Sequence, residues 1–285
     1  MMTKDLSEFH SRITEGFARP KFGDDALILD EECNFFRDHG YLAGVRLLEK
    51  EQIAALRSGL VEIMAPEYST DSRFYEYHHN ESTDASKTLF HALGAWRVSP
   101  AFHDLIFYDR FVDAAAKLLG GDVRFWHDQI FVKPAHDGGI VAWHQDYSYW
   151  TRTVPVAHLT CWIALDDSTL QNGCVHYVPG SHRWDLLPRG PLADDMEAVL
   201  ELLTDEQRAD FKPVAIELKA GEASFHHPMM LHGSYENRSD RPRRAAVINV
   251  IRDGVTSNSN EPLLAGVPPI PKGEKIAGRF FPRLT

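Results

Sequence analysis

The chain has 285 residues, of which 44% are hydrophobic and 25% are charged, and it has no apolar run of about 18 residues, so the sequence predicts a soluble globular protein without a membrane span. Its formal net charge of −11 argues against nucleic acid as a partner, although a single local arginine can still bind a small anion. Three cysteines without a C-x-x-C pair argue against a disulfide framework and a structural zinc ribbon, and with no apolar leader segment they predict a cytoplasmic protein.

The first third of the chain is predicted to be helical. Residues 29–48 open with three acidic side chains, which suit a helix N-terminus, and this helix is expected to stop near Gly40. Residues 49–66 carry apolar side chains at steps of three and four, which is typical of an amphipathic helix that ends before the final proline. Residues 99–121 predict one or two further helices. Because residues 1–120 have little core of their own, we expect them to buttress a β core.

The remainder of the chain predicts many short strands. Six runs are rich in β-branched and aromatic residues and are separated by Gly, Pro, Asn and Asp: 122–134, 141–150, 157–167, 174–182, 214–228 and 243–251. Asn172-Gly173 is a hairpin signal, and residues 189–211 look like a helical or irregular insertion. This spacing favours a sandwich or barrel, so we expect a mainly β protein with flanking helices. One domain over residues 1–285 is predicted, with its β core at about 121–285.

The first candidate metal ligands are His144 and Asp146, which lie two residues apart in "VAWHQDYSYW". On a strand, side chains at i and i+2 point to the same face, so an imidazole and a carboxylate at this spacing can hold one ion. On a helix they would diverge. A pair of unrelated polar residues at a strand end is the alternative.

A second candidate stretch is "FHHPMMLHGSYENRSDRPRR", which supplies His226, His227 and His232 and then four arginines. Two histidines and one carboxylate with open positions form the facial set typical of non-haem Fe(II) oxygenases. A chelated 2-oxo acid needs a cation for its far carboxylate, and a guanidinium binds a carboxylate bidentately. His226 shares strand parity with His232, and we interpret it as a hydrogen-bonding neighbour rather than a ligand.

Several motifs together resemble one family. The segments "WHQD", "NGCVHYVPGSH" and "LHGSYENRSDRPRR", with the opening "FFRDHGYLAGVRLL" and the closing "FFP", are similar to the phytanoyl-CoA dioxygenase family of Fe(II)/2-oxoglutarate-dependent oxygenases. The resemblance covers most of the chain, about residues 30–283. It implies a double-stranded β-helix, the cupin-like jelly roll, buttressed by N-terminal α-helices.

The resemblance also implies roles for individual residues. His144, Asp146 and His232 would be the metal ligands and the catalytic set. Arg243, eleven residues after the distal histidine, would bind 2-oxoglutarate, with Arg241 and Arg244 as competitors. The remaining predicted cosubstrate contacts are Ser234, Lys133 and Trp162, which match family positions, and Gln145, Thr160 and Gln129, which rest partly on strand parity.

The activity implied is that of a hydroxylase that uses Fe(2+), 2-oxoglutarate and O2 and releases succinate and CO2. Two alternatives stay open: another metalloenzyme on the same fold, such as a zinc hydrolase or cupin-type isomerase, or a non-catalytic protein that binds metal and 2-oxoglutarate. The acidic balance favours a small-molecule substrate over a CoA thioester. Residues 69–87 form a candidate lid, for which a disordered surface loop is the alternative. No oligomeric state is predicted.

Overall fold

The computed structural model describes residues 4–18, 27–193 and 195–285. No helix in this part of the chain combines the length and the apolarity needed to cross a bilayer. The helices are α1 (Asp30–His39), α2 (Lys50–Ile63), α3 (Pro100–Ile106), α4 (Asp109–Leu119) and α5 (Asp205–Asp210). The strands are β1 (Tyr41–Arg46), β2 (Glu76–His78), β3 (Phe90–Leu93), β4 (Val123–Lys133), β5 (Val141–His144), β6 (Thr153–Val154), β7 (His158–Ala164), β8 (Val175–Tyr177), β9 (Val214–Ile216), β10 (Glu222–His226), β11 (His232–Ser234), β12 (Arg243–Arg252) and β13 (Thr256–Ser257).

Helix α1 shows how local sequence sets the element boundaries. Its first turn holds three acidic residues, which stabilise the positive end of the helix dipole. It ends at Gly40, whose φ of 81° is accessible to glycine at little cost. A Cβ on Gly40 would lie 2.4 Å from His182 Nδ1, so the position is closed to larger residues for a second reason.

The prediction that residues 1–120 contribute only helices is wrong. The segment after Gly40 is not a continuation of α1 but strand β1, which pairs antiparallel with β10. Strands β2 and β3 also come from this region, and β3 pairs with β4. Three strands of the N-terminal part therefore belong to the main sheet. Strand β1 joins it through β10, far along the chain, and β2 joins it through β3, which pairs with β4.

Two antiparallel sheets form the core and confirm the predicted jelly-roll fold class. The larger sheet has the order β1-β10-β7-β12-β4-β3-β2, and the smaller one has the order β5-β11-β8-β9. A pair of short strands, β6 and β13, lies apart from both. A large cavity is lined by residues of both sheets and therefore lies between them.

Side-chain alternation on the larger sheet separates the structural core from the cavity. On β12, Ala246, Ile248 and Val250 belong to the main hydrophobic cluster, together with buried residues of α2, α3 and α4. Arg243 and Val247, at the alternate positions, line the cavity on the other face. Because side chains alternate along a strand, the helices cover one face of the sheet while the other face is left for the site.

Candidate metal centre

Three side chains converge at one end of the smaller sheet. His144 is the last residue of β5, and His232, the first residue of β11, lies directly opposite it in the antiparallel ladder. Asp146 opens a short 3-10 helix, Asp146–Tyr149, and its Oδ1 lies 3.4 Å from His144 Nε2 and 3.6 Å from His232 Nε2. Strand β5 ends at His144, but Gln145 keeps an extended backbone with φ −109° and ψ 127°. The side chains at 144 and 146 therefore project to the same side, as predicted for a strand or its frayed end.

The hydrogen bonds of the two imidazoles indicate a cation site. His144 Nδ1 lies 2.8 Å from the carbonyl oxygen of Ala142, and His232 Nδ1 lies 2.9 Å from that of Met230. A carbonyl only accepts, so each Nδ1 carries the hydrogen and each neutral imidazole presents a lone pair on Nε2. Two lone pairs then face a carboxylate oxygen. Their repulsion is relieved by a divalent cation, and two nitrogens with one oxygen suit ferrous iron.

Burial and charge at this centre support the same protonation states. Burial, with the neighbouring His144 and His226, holds the pKa of His232 well below its usual value, so its imidazole is neutral. Burial acts to raise the pKa of Asp146, but the pKa is held well below its usual value, and the hydrogen bond that His226 donates to Oδ2 contributes to this, so the carboxylate is ionised. The three ligand atoms lie within 4.8 Å of one another, which is compatible with coordination of one ion.

A chain of hydrogen bonds fixes the other oxygen of Asp146. Oδ2 accepts from Thr160 Oγ1 at 2.6 Å and from His226 Nε2 at 3.0 Å. His226 Nδ1 then accepts from the Tyr177 hydroxyl at 2.9 Å, and that hydroxyl lies 2.8 Å from Ser224 Oγ. The hydrogen on His226 is therefore on Nε2, and Oδ2 of Asp146 is occupied by two hydrogen bonds. Oδ1 is the oxygen that remains available to an ion.

Tyr177 was missed by the sequence analysis. It lies directly opposite His232 in the ladder between β8 and β11, inside the motif "NGCVHYVPGSH" that carried part of the family resemblance. The buried chain of His226, Tyr177 and Ser224 requires the β10 and β8 registers to be known, and these are set by long-range pairing.

Arg243 lies at the other end of the same cavity and is 1% exposed. One Nη donates to the Gly173 carbonyl at 3.0 Å and approaches Ser234 Oγ at 3.4 Å, while Nε has no hydrogen-bond partner. Among the described residues no carboxylate pairs with this guanidinium. Burial lowers the pKa of Arg243 to about 10, so it remains charged at neutral pH. A buried, unpaired cation is unfavourable and therefore fits an anionic ligand.

The two competing arginines lie elsewhere. Arg244 faces away from the cavity and binds both oxygens of Asp166 at 2.7 Å. The Arg241 side chain is 85% exposed. The structure therefore places only Arg243, of these three, against the cavity.

Two further predicted residues surround Arg243. Ser234 Oγ accepts from Lys133 Nζ at 2.7 Å, which leaves the serine hydrogen free for an anion in the cavity. Lys133 differs from the prediction, because its ammonium is buried behind Ser234 and donates to the Ser234 and Tyr235 carbonyls rather than lining the cavity. Trp162 lines the cavity, with the guanidinium carbon of Arg243 5.3 Å from its ring centroid.

The parity-based predictions met different outcomes. Thr160 and Gln129 line the cavity. The prediction that Gln145 contacts the cosubstrate is wrong. Its side chain is buried outside the cavity, where it donates to the Met229 carbonyl at 3.0 Å and accepts from Leu187 N at 2.8 Å. The prediction failed because Gln145 lies on an extended backbone between His144 and Asp146, so alternation directs its side chain away from the cavity that they line.

The cavity between the metal centre and the surface has a volume of about 730 Å³. Tyr149 and Trp150, two of the aromatic residues that follow the His144 motif, line it. So do Glu81, His91 and Phe131, none of which the sequence analysis selected individually. This space is large enough for a small organic substrate beside a cosubstrate.

Known proteins are similar to this chain over most of its length. A model of the phytanoyl-CoA dioxygenase (PhyH) family matches residues 36–245. A phytanoyl-CoA dioxygenase of Arabidopsis thaliana is 27% identical over 262 residues, covering 80% of this chain and 90% of the relative. An ectoine dioxygenase of Bordetella parapertussis is 28% identical, covering 92% of this chain and 86% of the relative.

Solved structures superpose on nearly the whole chain. The 2-oxoglutarate-dependent carbocyclase SnoK from nogalamycin biosynthesis superposes with a TM-score of 0.73 at 22% identity, covering 92% of this chain and 100% of SnoK. EctD from S. alaskensis, crystallised with 2-oxoglutarate and 5-hydroxyectoine, superposes with a TM-score of 0.68 at 21% identity, covering 95% and 92%. At these identities the likeness shows a shared fold.

Proposed function

The chain belongs to the phytanoyl-CoA dioxygenase family of iron- and 2-oxoglutarate-dependent dioxygenases, and from this premise we propose that it hydroxylates an unactivated C–H bond of a small molecule. In that reaction 2-oxoglutarate and O2 are consumed, succinate and CO2 are released, and one oxygen atom enters the substrate. A relative that aligns with 92% of this chain is named an ectoine dioxygenase, which supports a small molecule as the substrate class.

We propose that His144, Asp146 and His232 hold the iron. When bound, a ferrous ion supplies the chemistry that activates O2. The protein holds both imidazoles through their Nδ1 hydrogen bonds to backbone carbonyls. Thr160 and His226 bind the outer oxygen of Asp146, so that the carboxylate offers one oxygen and leaves coordination positions open for cosubstrate and O2.

The far carboxylate of 2-oxoglutarate is proposed to bind Arg243 and Ser234. The guanidinium supplies charge, its unpartnered Nε–H supplies a hydrogen bond, and Ser234 supplies the hydroxyl hydrogen that Lys133 leaves free. Trp162 packs against the same guanidinium and limits its movement. Tyr149 and Trp150 line the space nearer the surface, where they exclude water from the substrate.

One observation carries this proposal: a buried unpaired guanidinium shares a cavity with three converging ligand atoms. A zinc hydrolase or a cupin-type isomerase has no use for that cation. A non-catalytic protein that binds only metal and 2-oxoglutarate has no use for the further cavity space beside the proposed metal ligands and Arg243. A 2-oxoglutarate-dependent oxygenase uses all three features.

Succinate formation tests the proposal. Metal-free protein is reconstituted anaerobically with Fe(II) and 2-oxoglutarate, O2 is admitted, and succinate is measured. We expect O2-dependent succinate from the iron-loaded protein, none from a zinc-loaded sample, and none from Asp146→Ala. The control variant Arg241→Ala removes an exposed arginine and should retain activity. Failure of the iron-loaded wild type to form succinate would reject the oxygenase assignment.

We further propose that residues 1–285 act as one domain in a reducing compartment such as the cytoplasm. The contribution of β1, β2 and β3 to the main sheet supports the first part, since these strands share one core with the C-terminal half. The three cysteines, Cys33, Cys161 and Cys174, are unpaired, which supports the second.

A further inference from the structure

A histidine and a glutamate that do not belong to the proposed metal ligands form a pair on the cavity wall, and the Glu81 side chain is 21% exposed. His91, on β3, is 3% exposed, and its Nδ1 donates to Glu81 Oε2. Its Nε2 lies 3.0 Å from Gln129 Oε1, and its ring stacks on Phe131 with centroids 4.3 Å apart and an interplanar angle of 8°. Contacts on three sides fix the imidazole, and the imidazole in turn fixes the carboxylate.

The Glu81 carboxylate is charged and close to the metal centre. Burial alone would raise its pKa, but the hydrogen bond and charge of His91, with smaller contributions from His78 and His144, lower it below the usual value. Glu81 and His144 line the same cavity. Tyr149 lines the same cavity with its ring centroid 5.8 Å from that of His144, and its pKa is raised to about 12 by burial, with Asp146 and Glu81 adding to the shift.

The proposed reaction leaves this carboxylate without a role. The proposed metal ligands already include one carboxylate, that of Asp146. The end of the cavity proposed to bind 2-oxoglutarate carries the positive charge of Arg243. Two other glutamates line the cavity, Glu76 and Glu261, but both are exposed at its mouth. His91 occupies Oε2 of Glu81, and the described residues give Oε1 no hydrogen-bond partner. A charged oxygen is thus presented to the cavity.

We propose that Glu81, held by His91, is the docking point for a positively charged nitrogen on the primary substrate, which is therefore an amine or a related small cation. This inference rests on the proposed function. The Glu81 side chain is only 21% exposed, and a carboxylate with limited access to water forms a strong charge-assisted bond to an ammonium group. The aromatic rings of Tyr149 and Trp150 in the same cavity add favourable contacts for a cation.

The charges at the cavity mouth balance, so the selection of a cation depends on Glu81. Glu76 and Glu261 line the mouth together with Arg152 and Arg189. Arg152 donates to the carbonyls of Pro262 and Leu263, and the Arg189 guanidinium lies 4.4 Å from the Tyr149 ring centroid. Both cations are therefore held against neighbouring groups, whereas Glu81 faces the interior. A CoA thioester, with its several phosphates, does not match this arrangement.

The test uses amines, alcohols and carboxylates built on the same C4 to C8 carbon skeletons, with one acyl-CoA thioester. Two measurements are made on each compound: stimulation of succinate formation by the iron-loaded enzyme, and binding by calorimetry to protein loaded with Zn(II) and 2-oxoglutarate. We expect amines to bind and to stimulate succinate formation more than their matched alcohols, and carboxylates and the thioester to do neither.

Two matched variants locate the effect. Glu81→Gln keeps an acceptor for His91 but removes the charge, and it should lower amine affinity and kcat/KM for the stimulating amine by tenfold or more. Glu76→Gln removes the same charge at the exposed mouth and should leave both within about twofold. Thermal unfolding verifies that both variants fold.

The outcomes separate this inference from the proposed function. Amines that neither bind nor stimulate, or a Glu81→Gln variant that binds them as the wild type does, overturn the inference. Preferential binding of the carboxylates or of the thioester does the same. Amine binding that requires Glu81 in a protein that never forms succinate supports the inference and rejects the oxygenase function.

Discussion

Replacing Arg243 with methionine removes a buried cation while keeping much of the volume of the side chain. In the free protein the guanidinium makes two hydrogen bonds, to Gly173 O and Ser234 Oγ, and leaves Nε unpartnered. Two hydrogen bonds are worth about 0.5–1.5 kcal/mol each, and an unsatisfied buried group costs about 1–3 kcal/mol. These contributions nearly cancel, so we expect the free energy of unfolding of the metal-free protein to change by no more than about 1 kcal/mol.

The effect on the cosubstrate should be far larger. Removing one partner of a buried, hydrogen-bonded ion pair costs about 3–5 kcal/mol. Since each 1.4 kcal/mol is a factor of about ten in affinity, 2-oxoglutarate should bind Arg243→Met between about a hundredfold and a few thousandfold more weakly. Iron affinity in the absence of 2-oxoglutarate should be unchanged, because none of the three metal ligands contacts Arg243.

The neighbouring arginine supplies the control. Arg244 lies on the opposite face of β12 and pairs with Asp166. Arg244→Met should therefore lower stability modestly and leave 2-oxoglutarate affinity within about twofold. Calorimetric titration of Mn(II)-loaded protein measures the affinity, and denaturant unfolding measures stability. Equal 2-oxoglutarate affinity in Arg243→Met and wild type would refute the assignment, as would an equal loss in both variants.

Three further predictions concern other parts of the molecule. His226→Phe interrupts the hydrogen bond to Asp146, so Fe(II) affinity measured by equilibrium dialysis should fall about 10- to 100-fold, and an unchanged affinity would mean that Thr160 alone orients the carboxylate. Burial acts to raise the pKa of Asp5, but hydrogen bonds from Arg97 and Ser7 lower it to about 2; the stability it contributes is present above its unfolded value of 3.8 and is lost as the pH falls through about 2. Asp5→Asn should accordingly lower the free energy of unfolding by about 1–2 kcal/mol at pH 7, after allowance for partial exposure, and the difference from wild type should shrink in denaturant titrations near pH 2. Gly40 and Gly44 both have positive φ, but only at Gly40 would a Cβ meet other atoms, so Gly40→Ala should unfold at a clearly lower denaturant concentration than Gly44→Ala; equal midpoints would show that His182 and Met230 simply move aside.

The features that the sequence predicted well are those encoded over a few neighbouring residues. The apolar runs that became β4, β7 and β12 are long enough to identify strands directly, and Gly40 and Gly120 end their helices in the left-handed conformation. The three candidate ligands followed from local motifs, and the structure brings those side chains together.

The features that were missed depend on contacts between distant residues. Strand β1 is short and follows a helix, and its identity comes from pairing with β10 near the other end of the chain. Glu81 and His91 gain their place in the cavity only through the pairing of β3 with β4. Local preference cannot specify these two placements, since long-range packing decides them. Gln145 differs: its backbone is extended, and alternation between two cavity-lining neighbours directs its side chain to the opposite side.

The pairing of β1 with β10 has a consequence for synthesis on the ribosome. Tyr41 emerges early but its partner, His226, emerges late, and the candidate residues His232 and Arg243 follow later still. The nascent chain therefore exposes an unpaired strand edge for most of its elongation, and it cannot offer a complete ligand set to iron until nearly all of the polypeptide has been made. The proposed ligand set can therefore bind a metal ion only late in synthesis or after it.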